Sequence, residues 1–275
     1  MCVPGSIHIL KGDKMKTTLQ VLTVLLFLFI LGGCASKHYQ VTPEIYRERV
    51  KVLGVLPLMV DAESTILHPQ RQEIVAILQQ SAREKYLRLS AQLSARAGYS
   101  EVRPVIIDTP SQLQLFAGKA LKTDKDGTYN RYQPVPAAVS ELARAAGVDA
   151  LLVVVLNGVE NKGKRWERLG PRYLESSFNE IQASAMVLAA SGEILWEKSG
   201  ASGAPFVDLQ YADFDEAFHN RTDQVTLRFV TPDGLRRALQ ASDKGLLEKE
   251  GFSTLYRALF DSLSEGLAIS KSWRK

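Results

Sequence analysis

The chain has 275 residues, with 34 Lys and Arg against 30 Asp and Glu. A net charge of +4 is no electrostatic reason to expect nucleic acid. Cysteines stand only at 2 and 34, so the rest of the chain has no disulfide framework and no thiolate site. In chain order, the first feature is the stretch "MKTTLQVLTVLLFLFILGGC", 15–34. Lys11, Lys14 and Lys16 precede an apolar run from Leu19 to Leu31, interrupted only by Gln20 and Thr23. The run is shorter than the ~20 residues needed to span a bilayer. Gly32 and Gly33 then break it. Basic lead, short apolar run and small residues before a cut site predict a secretory signal over 1–33. Residues 1–14 fit poorly as its basic start, so translation is expected to begin at Met15.

Leu31-Gly32-Gly33-Cys34 resembles the lipobox of bacterial lipoproteins. The resemblance implies cleavage before Cys34 and a covalent diacylglycerol and N-acyl lipid on that residue. No other cofactor is expected. Ala35 follows in place of aspartate, which in well-studied proteobacteria implies an outer-membrane, periplasm-facing address. Loss of residues 1–33 would leave 242 residues, 31 basic and 29 acidic. That length suits one domain with a sizeable core.

Residues 34–48 are polar without periodicity and read as the lipidated cysteine and a tether. A single α/β domain is expected over 49–275. "RVKVLGVLPLMV", 49–60, reads as a buried strand. The next stretch, through Gly98, reads as one long helix. Ile74, Leu78, Ala82, Tyr86, Leu89 and Leu93 lie on one of its faces. "EVRPVIID", 101–108, is a short strand, and a polar loop holding "KTDKDGTYNRYQ" follows. Pro136 and Gly147 bracket a helix. The apolar run 148–159 reads as a strand covered on both faces. This βαβαβ order predicts a parallel core with right-handed crossovers.

After that, "SFNEIQASAMVLAASGEILWEK" predicts an antiparallel hairpin turning at Ser191-Gly192. Ile181, Ala183, Ala185 and Val187 share a face of one arm, and Ile194 and Trp196 a face of the other. An irregular insertion is expected near 197–230, with one apolar piece, "VTLRFV". Thr231, Pro232 and Asp233 open a short helix. A C-terminal helix closes the fold, with Phe252, Leu255, Leu259, Leu263 and Leu267 on its stripe. The fold class is therefore mixed α/β.

This order, with "VLGVLPL", "AGVDALLVVVL" and "SGEILWE" in place, is similar to the periplasmic α/β domain of curli-secretion-type lipoproteins. It is similar also to lipoproteins that activate penicillin-binding proteins and to the TolB N-terminal domain. The resemblance covers roughly 49–200 and the last helix. It implies a non-enzymatic accessory factor of binding, assembly or transport in the cell envelope. The bilayer and envelope proteins are the implied partners, with a homo-oligomer also weighed.

Chemistry is sparse. G-x-S-x-G, H-E-x-x-H and the phosphate-cradling G-x-x-x-x-G-K-[ST] are all missing. Asp213, Asp215, Glu216 and His219 lie close enough in sequence to hold a hard cation, which would suit an anchored metal-dependent hydrolase. The stretch is no EF-hand: Phe218 stands at the glycine position and Gln224 at that of the bidentate glutamate. A solvated acidic loop is the alternative. The basic stretch "NKGKRWERLGPRY", 161–173, gathers Lys164, Arg165, Trp166, Arg168, Arg172 and Tyr173. Such a mixture suits anionic headgroups, a glycan or an acidic protein. An exposed loop between strands is its alternative. A third functional reading, a subunit of an outer-membrane export channel, needs amphipathic strands of ~9–11 residues. The nearest candidates, "FVDLQYADF" and "VTLRFV", are short or interrupted.

Overall fold

The structure, a computed structural model, describes residues 38–108, 112–243 and 252–268. The expected signal segment, Met15 and Cys34 lie outside the described residues. From His38 onward, the stretch expected as tether belongs to the folded body. Helix α1 (Pro43–Arg49) is capped by the Thr42 side chain and starts on a proline. It buries Tyr46 completely.

A mixed sheet of seven strands organises the molecule. Its strands are β1 (Val52–Val55), β2 (Met59–Asp61), β3 (Glu101–Pro104), β6 (Ala150–Trp166), β7 (Tyr173–Ala189), β8 (Ile194–Lys198) and β9 (Val207–Asp208). The order is β3-β1-β6-β7-β8, with β2 also on β6 and β9 also on β7. Strands β1, β3, β2 and β6 pair in parallel. Strands β7, β8 and β9 extend the sheet antiparallel. The fold is thus mixed α/β, with a parallel core, an antiparallel extension and a C-terminal helix.

The strand expected over 49–60 is two strands. Pro57 carries no N–H for a ladder, and the chain breaks at Leu56–Leu58. The first piece, β1, meets β6 at Ala150–Leu152, and β2 meets it at Val155–Asn157. The apolar run of β6 is buried on both faces. Ala150, Leu152, Val154 and Leu156 face one core, and Leu151, Val153 and Val155 the other.

The first core lies under α2 (Arg71–Ala82), α3 (Lys85–Arg96), α6 (Pro232–Gln240) and α7 (Thr254–Leu267). Helices α2 and α3 replace the one long helix expected. Glu84 takes a left-handed φ of 61° between them. The apolar face continues across the break, because Ile74, Leu78, Ala82, Leu89 and Leu93 are all buried. Gly98 (φ 81°) follows the end of α3. On α7 the expected stripe holds at Leu263 and Leu267, and before them it shifts by one residue, to Tyr256 and Phe260. Tyr256, Phe260, Leu263 and Leu267 are buried, while Leu255 and Leu259 pack at the margin.

The second core lies under α4 (Pro136–Ala146) and a hairpin, β4 (Phe116–Asp124) with β5 (Gly127–Pro134). The polar loop expected here is this hairpin. Its turn, Lys125-Asp126-Gly127, places glycine at φ 135°, a conformation other residues avoid. Gly147 ends α4 at φ 62°, as its position implied.

The expected hairpin about Ser191-Gly192 is β7 with β8. A register shift between Val187 and Leu188 sets Leu188 opposite Ile194 and Val187 opposite Trp196. An extra residue on one strand re-aims its neighbours. Leu195 and Trp196 therefore face the first core and Ile194 the second, not the shared face expected for Ile194 and Trp196. The region expected as an irregular insertion is ordered. It holds β9, β10 (Gln210–Asp213), α5 (Phe214–His219) and β11 (Thr226–Phe229), and β10 pairs antiparallel with β11. The last pair, β12 (Ser242–Asp243) with β13 (Phe252–Ser253), leads into α7.

Candidate functional site

Strands β6 and β7 pair in one unbroken register from Ala150↔Ala189 out to Trp166↔Tyr173. The basic stretch expected as a loop is mostly the outer part of these strands. Only Glu167 to Arg172 turn the corner. Ladder pairing supplies the reason: each residue added beyond the core satisfies its backbone groups on the opposite arm.

The outer end brings some of the candidate side chains together. The Trp166 and Tyr173 rings lie 4.9 Å apart. Lys164 Nζ sits 4.6 Å from the Tyr173 ring centre and 3.3 Å from Glu175. The hydrogen bond it donates to Glu175 holds the Lys164 ammonium above its ordinary pKa. Arg168 is exposed on the turn. Like Lys164, two of the arginines turn to carboxylates of the chain itself. Arg165 bonds Asp208 at 2.7 Å and faces Glu180 at 3.5 Å, with its guanidinium over the Phe178 ring. Arg172 forks onto Glu167, at 2.6 and 3.0 Å. Those two arginines brace the hairpin. What faces outward is Trp166 (62% exposed), Leu169 (95%) and Tyr173 (47%), with Lys162, Lys164 and Arg168. Leu169 was missed in the sequence, since one leucine in a basic stretch carries no periodicity.

The acidic candidates are placed differently. Asp213 caps α5 by accepting from the Glu216 N–H at 2.9 Å. Glu216 accepts from Thr226 Oγ1 at 2.8 Å and from Arg228 at 2.5 Å. These bonds, Thr226 first, hold its carboxyl below the usual range. Arg228 also reaches Asp213 at 3.6 Å. His219 packs edge-on to Phe218. Two of the carboxylates are therefore occupied by a helix cap and an arginine. Among the described residues, no three His, Cys, Asp or Glu side chains gather as a metal would require.

A buried polar seam, which the sequence did not disclose, joins the outer hairpin to the core. Tyr132 Oη donates to Asp61 Oδ2 at 2.7 Å, and Lys119 Nζ lies 2.5 Å from the same oxygen. Burial pushes the Tyr132 phenol far up. An apolar hollow of about 170 Å³, walled by Met59, Leu113 and Phe116, opens beside this trio. Asn130 donates to Asn157 Oδ1 at 2.8 Å, and Asn157 to Ser184 Oγ at 3.2 Å. Asn161 joins the Thr128 backbone to Glu180. Asn179 bonds the backbone of Thr65, Leu67 and Val159. The signal was present as polar residues inside "NEIQAS", where a buried strand should be apolar. Buried polar groups need partners, and here most find them in the β4–β5 hairpin and the loop after β2.

No protein-family model matches the sequence, and no curated protein does. Among solved structures, the chain is similar to a PelC dodecamer from Paraburkholderia phytofirmans at 13% identity and a TM-score of 0.22. That match covers 57% of this chain and 76% of the other. A neuraminyllactose-binding hemagglutinin homologue from Helicobacter pylori matches at 8% identity and a TM-score of 0.33, over 78% of this chain and 84% of that one. Likeness at these scores assigns the chain to no family.

Proposed function

We propose that this chain is a lipid-anchored lipoprotein of the bacterial outer membrane, acting by binding, without catalysis, in the periplasm. Leu31-Gly32-Gly33-Cys34, directly after a basic and apolar lead, carries the reading. A thiolate is the nucleophile for lipid transfer, and multiple acyl chains make attachment stable where one is marginal. The outer end of the β6–β7 hairpin is the contact surface: aromatic, apolar and cationic side chains are exposed together there. Envelope components are its partners.

Cell fractionation tests the anchor. Wild-type protein should pellet with membranes and release a lipid-modified N-terminal peptide on digestion. Cys34→Ser should leave the outer-membrane fraction. A Cys34→Ser chain that sediments with the outer membrane as firmly as wild type would refute the proposal.

A further inference from the structure

The way the chain reaches β8 bears on what the hairpin touches. His38 accepts from the Glu197 N–H at 2.8 Å, and the Gln40 N–H donates to Leu195 at 2.9 Å. Tyr39 and Trp196 form an antiparallel bridge. Residues 38–40 thus run antiparallel to β8 and in the same sense as β7. Strand β7 runs from the outer end of the hairpin toward the core. The backbone direction at His38, extended backwards, leads to the side to which the hairpin points.

Lengths sharpen this. Glu197 is level with Met186, and the strand from Met186 out to Tyr173 spans about 43 Å at ~3.3 Å per residue. Cys34 lies four residues before His38, a reach of at most ~14 Å. A bilayer holding an acyl chain at Cys34 would be met by the hairpin well before its outer end. Crossing that bilayer requires an apolar outward face, and the hairpin has none. One face carries Glu160, Lys162 and Lys164 opposite Asn179, Ser177 and Glu175. The other carries Asn161, Gly163 and Arg165 opposite Phe178, Ser176 and Leu174. A hairpin that reaches the surface and cannot cross it must lie along it.

We propose that the outer end of β6–β7 is a second membrane contact, seating Trp166, Leu169 and Tyr173 in the headgroup layer of an anionic bilayer. Tryptophan and tyrosine suit that layer, being apolar bodies with a polar edge. Lys162, Lys164 and Arg168 meet the negative headgroups. This contact rests on the lipid-anchor reading, and it names the bilayer as the occupant of the same surface.

The test uses the full, acylated chain reconstituted in vesicles of phosphatidylethanolamine and phosphatidylglycerol. Leu169→Cys carries a solvatochromic dye, and Lys125→Cys on the β4–β5 turn serves as reference. At 169 the emission should shift to the blue. Spin-labelled headgroups should quench it at least twofold more than the dye at 125. Arg168→Glu in the 169-labelled chain should reduce the shift. A dye at 169 that stays aqueous on an acylated, vesicle-bound chain overturns the contact while leaving the anchor intact. A shift at 169 only after addition of an envelope protein overturns the bilayer as occupant. Acylation is read separately, as added mass on the Cys34 peptide, so failure of the anchor is told apart from failure of the contact.

Discussion

Replacing Lys119 by methionine tests what holds the β4–β5 hairpin to the sheet. Lys119 Nζ lies 2.5 Å from Asp61 Oδ2, with the two side chains 25% and 12% exposed. Methionine keeps the length of the stem and removes the charge. Asp61 then retains the Tyr132 hydroxyl at 2.7 Å and the Glu63 N–H at 3.0 Å. Breaking a fully buried pair from one side costs about 3–5 kcal/mol, and a surface pair is worth about 0–1 kcal/mol. A quarter-exposed lysine and two surviving hydrogen bonds place the loss between these, at about 2 kcal/mol. For a body of this size that lowers Tm by about 4–8 °C. Urea and thermal unfolding followed by circular dichroism measure it. A cycle with Asp61→Asn and the double variant isolates the pair, and its coupling should be about 1–2 kcal/mol. A Tm within 1 °C of wild type, or strictly additive single costs, would refute the reasoning.

Three further outcomes follow from the packing. Gly158→Ala would put a Cβ 2.6 Å from the Thr65 carbonyl oxygen and from Ile66 Cγ1. The 64–66 loop must move, so stability should fall by about 1–3 kcal/mol; an unchanged urea midpoint would contradict this. Trp196→Phe removes the Nε1–H that bonds the Gly266 carbonyl at 3.1 Å, and should cost about 1–2 kcal/mol. The loss should show as faster amide exchange in the last turn of α7. Burial raises the Tyr256 phenol from 10.0 to about 12. A raised folded pKa favours the neutral form, so this contribution to stability is complete below pH 10 and is lost as pH climbs toward 12. Absorbance titration should show a phenol ionising near 12 in the folded protein, followed by alkaline unfolding. Ionisation of every tyrosine near pH 10 with the fold intact would contradict it.

Much of the architecture was legible because it rests on strong periodicities. The run 150–156 is apolar at every position, so its burial on both faces follows from content alone. Thr231-Pro232 and Gly147 marked helix ends through their backbone preferences. Other features needed information that periodicity lacks. A helical face continues past Glu84 even though the backbone does not, so the α2–α3 break is silent in the pattern. The extra residue near Leu195 reverses the faces of β8, and nothing in the alternation of "ILWEK" announces it. The β4–β5 hairpin was hidden by its polarity, although the Asp126-Gly127 pair is a hairpin signal. In the candidate site, Trp166 and Tyr173 were legible as a cluster by composition. That Arg165 and Arg172 are spent on Asp208 and Glu167 depends on partners set by cross-strand register and, for Asp208, a separate strand.

One continuous register has a mechanical consequence. The two strands that form the middle of the sheet are the same two that reach Trp166 and Tyr173. No glycine of positive φ interrupts either arm, and the seam of Asn157, Asn161 and Asn179 ties their midpoints to strand β5 and the loop after β2. A force applied at Leu169 meets no hinge on its way inward. The hairpin behaves as a lever rooted in the core: what grips its far end pulls on the centre of the molecule.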